Sequence, residues 1–140
     1  MRALETEPDA TGPHLGWSSM ILLWVALGAA VGAPARYLTD RAVQTRHDSV
    51  FPWGTLTVNV VGSFILGVLA ALGSHVSPAV SALVAVGFCG ALTTYSTFSF
   101  EVMRLLEEHA RFYALANVLV SLLAGFGAVA LGWSVGSWLA

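Results

Sequence analysis

Residues 87–100 read GFCGALTTYSTFSF. The stretch falls inside an apolar run long enough to be a membrane helix, yet it holds two glycines, three threonines, two serines and a tyrosine. The chain around it decides how it is read. Of 140 residues, 56% are hydrophobic and only 10% charged, with a mean hydropathy of +0.76. Soluble domains carry roughly 25% charged residues. Such a deficit, with long apolar runs, places the chain among all-α integral membrane proteins.

Crossing a bilayer takes about 20 mostly apolar residues. Four stretches qualify, at about 17–34, 54–73, 78–100 and 112–139. They form one transmembrane domain, residues 17–140. Trp133 and Trp138 suit an interfacial end for the fourth span. Residues 1–16 are polar, contain Pro and Gly, and are expected to form a disordered N-terminal tail. Ala33-Pro34-Ala35 superficially fits a signal-peptidase site, but the preceding tail is acidic and three more spans follow, so the first segment is read as a retained helix.

The expected connections are short: 35–53, 74–77 and 101–111. An even number of spans leaves both termini on one side. The first and third connections then hold five of the six arginines, and the tail holds Arg2. Positive-inside statistics favour those connections in the cytoplasm and both termini outside. Gly28 and Gly32 form one GxxxG pattern and Gly132 and Gly136 another, with Gly62 and Gly67 as a further smooth surface. Small residues of this kind let membrane helices approach closely. So small a bundle has little room for a private pore, and an oligomer is expected.

The expected spans lack ionisable residues: none of Asp, Glu, Lys, Arg or His lies within 17–34, 54–73, 78–100 or 112–139. A proton-coupled transporter normally keeps a titratable group at depth. A zinc protease or Ser-His hydrolase needs a base there. The four histidines, His14, His47, His75 and His109, all fall in the tail or connections. The single cysteine, Cys89, allows no internal disulfide and reads as a small buried residue. The net charge of −2 and the lack of a basic cluster argue against nucleic acid. No catalytic residue is expected, and the chain is not read as an enzyme.

What the spans do carry is neutral and hydrogen-bonding. Asn59 lies in the second span. Thr93, Thr94, Tyr95, Ser96, Thr97 and Ser99 lie in the third. Tyr113, Asn117 and Ser121 recur at i, i+4 and i+8 in the fourth, along one helix face. Hydroxyl and amide donors can replace the hydration water of a small anion without trapping it as a fixed cation does. Arg36 and the other connection arginines can raise anion concentration at a mouth. Tyr95 and Phe98 share a helix face, and aromatic ring edges are electropositive. Each feature also has an ordinary role in helix packing.

On three stretches the chain resembles the Fluc/CrcB family of bacterial fluoride ion channels: GAPARY at 32–37, GTLTVNVVGSFILG at 54–67 and GFCGALTTYSTFSFE at 87–101. The resemblance covers nearly all of the chain after its tail. It implies four-helix subunits paired as an antiparallel, dual-topology dimer with two pores, and a third helix broken near its middle. At that break the carbonyls of Gly90 and Thr93 are implied to hold a structural Na+ at the dimer centre. Asn59 is implied to donate to fluoride, with Tyr95 and Phe98 as the aromatic pair. Thr97, Tyr113, Asn117 and Ser121 match a polar track, and Arg36 an arginine near the entrance. Relatives usually carry phenylalanine where Tyr95 stands and often serine where Asn117 stands.

The implied function is passive, fluoride-selective efflux across the bacterial inner membrane, protecting the cell from fluoride trapped after entry as HF. The partner is an antiparallel copy of the chain or, given the arginine bias, a homologous second subunit of opposite orientation. Two other readings are carried forward: a noncatalytic membrane assembly subunit, and a small multidrug antiporter, which requires a carboxylate buried in the membrane.

Overall fold

The computed structural model describes residues 14–46 and 49–140. Most of the expected tail, including Arg2, lies outside the described residues, as do His47 and Asp48. The described chain is helical: α1 (His14–Gln44), α2 (Trp53–Leu72), a 3₁₀ turn (Gly73–His75), α3 (Pro78–Val80), π-helical turns (Ser81–Cys89), α4 (Gly90–Leu92), α5 (Tyr95–Glu107) and α6 (Arg111–Leu139). These make four spans long and apolar enough to cross a membrane: Ser18–Gln44, Trp53–His75, Pro78–Glu107 and Arg111–Leu139.

Two spans outrun their apolar stretches. The first was expected to stop near Pro34, where the apolar run ends. Instead α1 continues through Pro34 to Gln44. Its extra turns are tied by i,i+4 side-chain bonds: Arg41 Nη1 donates to the Tyr37 hydroxyl at 3.2 Å, and Gln44 Nε2 to Asp40 Oδ1 at 3.0 Å. Arg36 therefore sits on a helix rather than in a connection. The third span likewise runs on to Glu107. It ends in a Schellman-type turn, with Ala110 N donating to Leu105 O at 2.8 Å and His109 N to Leu106 O at 3.1 Å. His109 takes the left-handed position, φ 59°, usually given to glycine.

Close backbone approach organises the packing. A Cβ on Gly28 would collide with the backbone of Leu83 and Phe88, and one on Gly87 with Val25 and Gly28. The two glycines thus let α1 lie directly against the π-helical turns. Gly67 does the same for α2 against Val129 and Trp133 of α6, and Gly132 for α6 against Phe64 and Val68. Both GxxxG patterns serve packing within the chain. These contacts also fix direction: α2 and α6 run parallel, Gly67 lying near Val129 and Val68 near Gly136.

The fold hides little of its apolar surface. No span has more than 28% of its most apolar window buried. Leu105, Val58, Asn117 and Cys89 are the largest fully buried side chains. Most remaining apolar surface faces outward, where lipid or another subunit must cover it.

Candidate functional site

The helical ladder of the third span stops at Leu92 and restarts at Tyr95. Between them Thr93 (φ −78°, ψ 158°) and Thr94 (φ −150°, ψ 124°) are extended. A continuous helix would send the Thr94 amide to the Gly90 carbonyl. Here that amide donates to Asn59 Oδ1 at 2.9 Å, while Asn59 Nδ2 donates back to the Thr94 carbonyl at 3.3 Å. One carboxamide thus satisfies both backbone groups of Thr94. Unpaired, each would cost several kcal/mol, roughly, in hydrocarbon. Thr94 then starts α5 as its N-cap, its Oγ1 accepting from Thr97 N at 3.2 Å and donating to Thr97 Oγ1 at 3.0 Å. Thr93 Oγ1 turns back to the Cys89 carbonyl at 3.0 Å. The Gly90 carbonyl is left without its helical donor, on an exposed residue with open space where a Cβ would stand.

Two clefts meet at Thr94. One, about 350 Å³, is lined by Asn59, Ser63, Thr93, Thr94, Tyr95, Phe98 and Ser121 together with Leu66, Leu122 and Gly125. The Tyr95 and Phe98 rings stand 6.3 Å apart there, inclined at 40°. Asn59 has a second N–H beyond the one given to Thr94, and so retains a donor for this cleft. The other cleft, about 160 Å³, is lined by Arg36, Tyr37, Asp40, Thr55, Val58, Thr94 and Thr97. Arg36 is half-buried there and makes no ion pair among the described residues. The clefts form a sequence of polar surfaces, from a guanidinium past Thr97 and Thr94 to Asn59 and the two rings.

The residues singled out from the sequence are thus placed unequally. Arg36, Asn59, Tyr95, Thr97, Phe98 and Ser121 line one cleft or the other. Gly90 begins α4 just before the interruption, and Thr93 lies within it and lines the larger cleft. Tyr113 lines neither cleft and stacks edge-on against Phe112, with centroids 5.7 Å apart. Asn117 is also absent from both linings: it is 1% exposed, and its Oδ1 accepts from Ser121 Oγ at 3.2 Å.

Sequence reasoning missed Thr55 and Glu101. Glu101 was assigned to a connection because it directly follows the apolar run. It lies in α5 with 6% of its surface exposed, its Oε1 accepting from Thr55 Oγ1 at 2.6 Å. The available signal was its place one helical turn after Thr97, on the same face.

Fold and site define a multi-pass membrane protein whose internal polar surface is dominated by neutral groups and arranged around an interrupted span. The family model described as "CrcB-like protein, Camphor Resistance (CrcB)" matches residues 23–133, and the chain belongs to that family. A relative from Frankia casuarinae, named fluoride-specific ion channel FluC 1, is 62% identical over 117 residues, 79% of this chain and 91% of its own. A protein of the same name from Streptomyces avermitilis is 56% identical over 112 residues, 79% of this chain and 90% of its own. Fluoride-specific ion channel FluC of Shewanella denitrificans is 52% identical over 102 residues, 71% and 82% of the two chains.

Proposed function

We propose that this chain is a fluoride-selective channel that lets cytoplasmic fluoride leave the cell passively across the bacterial inner membrane, so protecting it from fluoride toxicity. The observation that carries the reading is the Asn59–Thr94 bracket. It holds an interrupted span open on a cleft of neutral donors and ring edges, with an unpaired arginine beyond. A small anion crossing this region exchanges water for O–H, N–H and aromatic C–H groups, none strong enough to hold it. The identity to relatives named as fluoride-specific channels supports the choice of ion.

The interruption at Thr93–Thr94 is read as the family's broken third helix. The Gly90 carbonyl, released from its helical partner, and the Thr93 carbonyl are hard oxygen donors suited to Na+. Bound there, sodium supplies a fixed positive charge that neutralises backbone dipoles. It is structural in this reading and is not transported. The largely outward-facing apolar surface accommodates a second subunit, antiparallel to the first. That subunit is a copy of this chain or a homologue whose arginine bias favours the opposite orientation.

Fluoride-electrode recording of efflux from liposomes, with chloride as control, tests the function. Fluoride release under an imposed potential, without chloride release, is the expected result. Silence from the chain alone calls for adding the second homologue, and silence from both refutes the channel. Replacing Na+ by N-methylglucamine during purification is expected to lower the thermal midpoint of the assembly; an unchanged midpoint removes the sodium. Glu101 is the observation that favours a proton-coupled exchanger, which requires a buried carboxylate. That reading predicts fluoride movement driven by a pH gradient at zero potential, with protons moving in step.

A further inference from the structure

Two buried side-chain atoms have no hydrogen-bond partner among the described residues: Glu101 Oε2 and Asn117 Nδ2. Both side chains are more than nine-tenths buried, at 6% and 1% exposure. One orphan is a carboxylate oxygen and the other an amide donor, which makes them chemically complementary. An unsatisfied polar group at depth is costly, and two of opposite kind raise the question of whether they share a level.

The hairpin of α5 and α6 turns at His109. Glu101 and Asn117 are equally far from it in sequence, each about 12 Å along its helix at 1.5 Å per residue. The buried positions of α5 are Glu101 and Leu105; those in the first part of α6 are Ala114 and Asn117. Thr55, which holds Glu101 Oε1, gives a second measure of level. The parallel register of α2 on α6, set by Gly67 near Val129 and Trp133 and by Gly132 near Phe64 and Val68, extrapolates Thr55 to the stretch of α6 between Asn117 and Leu123. The hairpin thus brings Glu101 and Asn117 to one depth, and Thr55 falls within about two helical turns of it.

We infer that Asn117 is a positioning residue for Glu101, its Nδ2 donating through one water to Glu101 Oε2, so that the buried carboxylate is held in its ionised form. The 2.6 Å Thr55–Glu101 contact lies in the range of a charge-assisted O–H···O⁻ bond. Ser121 Oγ in turn donates to Asn117 Oδ1. The donors therefore run one way, Ser121 to Asn117 to Glu101, with Thr55 arriving from the other side. Ser121 directs its hydroxyl proton toward Asn117 and offers lone pairs elsewhere. The charged groups facing Glu101 are Asp40 on α1 and Arg104 one turn along its own helix. Among the described residues α2 carries no charge, and α6 carries only Arg111 at its first position. The cluster's effect on flux rests on the channel reading; its effect on the carboxylate does not.

Infrared spectroscopy of the reconstituted protein separates the two. Near neutral pH the wild type is expected to show no protonated-carboxyl C=O stretch that Glu101→Gln removes. In Asn117→Ala such a band is expected at the same pH, and Glu101→Gln in that background should abolish it. Asn117→Val, closer in volume and also without donors, replaces the alanine variant if that does not fold. A Glu101-dependent acid band in the wild type near neutral pH overturns the inference. So does its absence from both donorless variants. If the wild type carries no fluoride but the bands behave as expected, the channel reading fails and Asn117's role stands. If fluoride flows while the bands do not respond to Asn117, the reverse holds.

Discussion

The third and fourth spans place polar groups in hydrocarbon in opposite ways. In α6 the backbone pairs with itself from Arg111 to Leu139, and polarity comes from side chains set one turn apart. In the third span the backbone opens at Thr93 and Thr94, and a side chain from α2 closes it. A polar stripe on an intact helix can be altered residue by residue. An opened backbone depends on its one external partner, so the two spans should respond very differently to substitution.

Asn59→Leu should do the greatest damage. It removes both bonds to Thr94 and leaves an amide and a carbonyl unpaired, an expected loss of about 2–4 kcal/mol. Fluoride efflux should fall below detection, and the thermal midpoint of the purified protein should drop with it. A stable, conducting Asn59→Leu channel would show that the interruption does not depend on this bracket. Phe98→Ala comes next. It removes one ring from the cleft while leaving the backbone bonds in place, so efflux should fall at least about tenfold, the equivalent of 1.4 kcal/mol in barrier, with little change in midpoint.

On α6 the expected effects shrink. Ser121→Ala removes a hydroxyl bonded within its own helix, a net contribution of about 1 kcal/mol. Efflux should fall only a few-fold, and a total loss would put Ser121 on a par with Asn59 and erase the contrast. Tyr95→Phe should be the mildest. The Tyr95 ring is 82% exposed and its hydroxyl has no bond among the described residues, so removing that oxygen keeps the ring edge beside Phe98. An efflux rate within about twofold of wild type is expected; a large rise would mean that the phenol obstructs the cleft.

Much of this architecture was legible in the residues. Four apolar runs and the glycine pairs each act through a local rule, length against bilayer thickness and small side chains for close approach, whereas a break within the hydroxyl-rich 87–100 was implied only by the family resemblance. The ends of spans were less legible. Hydropathy marks where apolar residues cease, whereas a helix ends where its backbone bonds end. For that reason Arg36 and Glu101 were both assigned to connections although both lie on helices. The even i, i+4, i+8 spacing of Tyr113, Asn117 and Ser121 suggested one continuous track, yet only Ser121 reaches the larger cleft.

Composition and periodicity are properties of a chain alone. They were sufficient to specify a four-span helical membrane protein with neutral polar groups at depth, because lipid imposes the same demands on every backbone. Which polar group meets which depends on distances between helices, and no span contains that information by itself. The contact of Gly28 with Gly87 and the parallel register of α2 on α6 set those distances. They bring Asn59 to Thr94 and Thr55 to Glu101 across 35 and 46 residues of sequence, and so turn a weak stretch of helix into a supported opening beside a buried carboxylate.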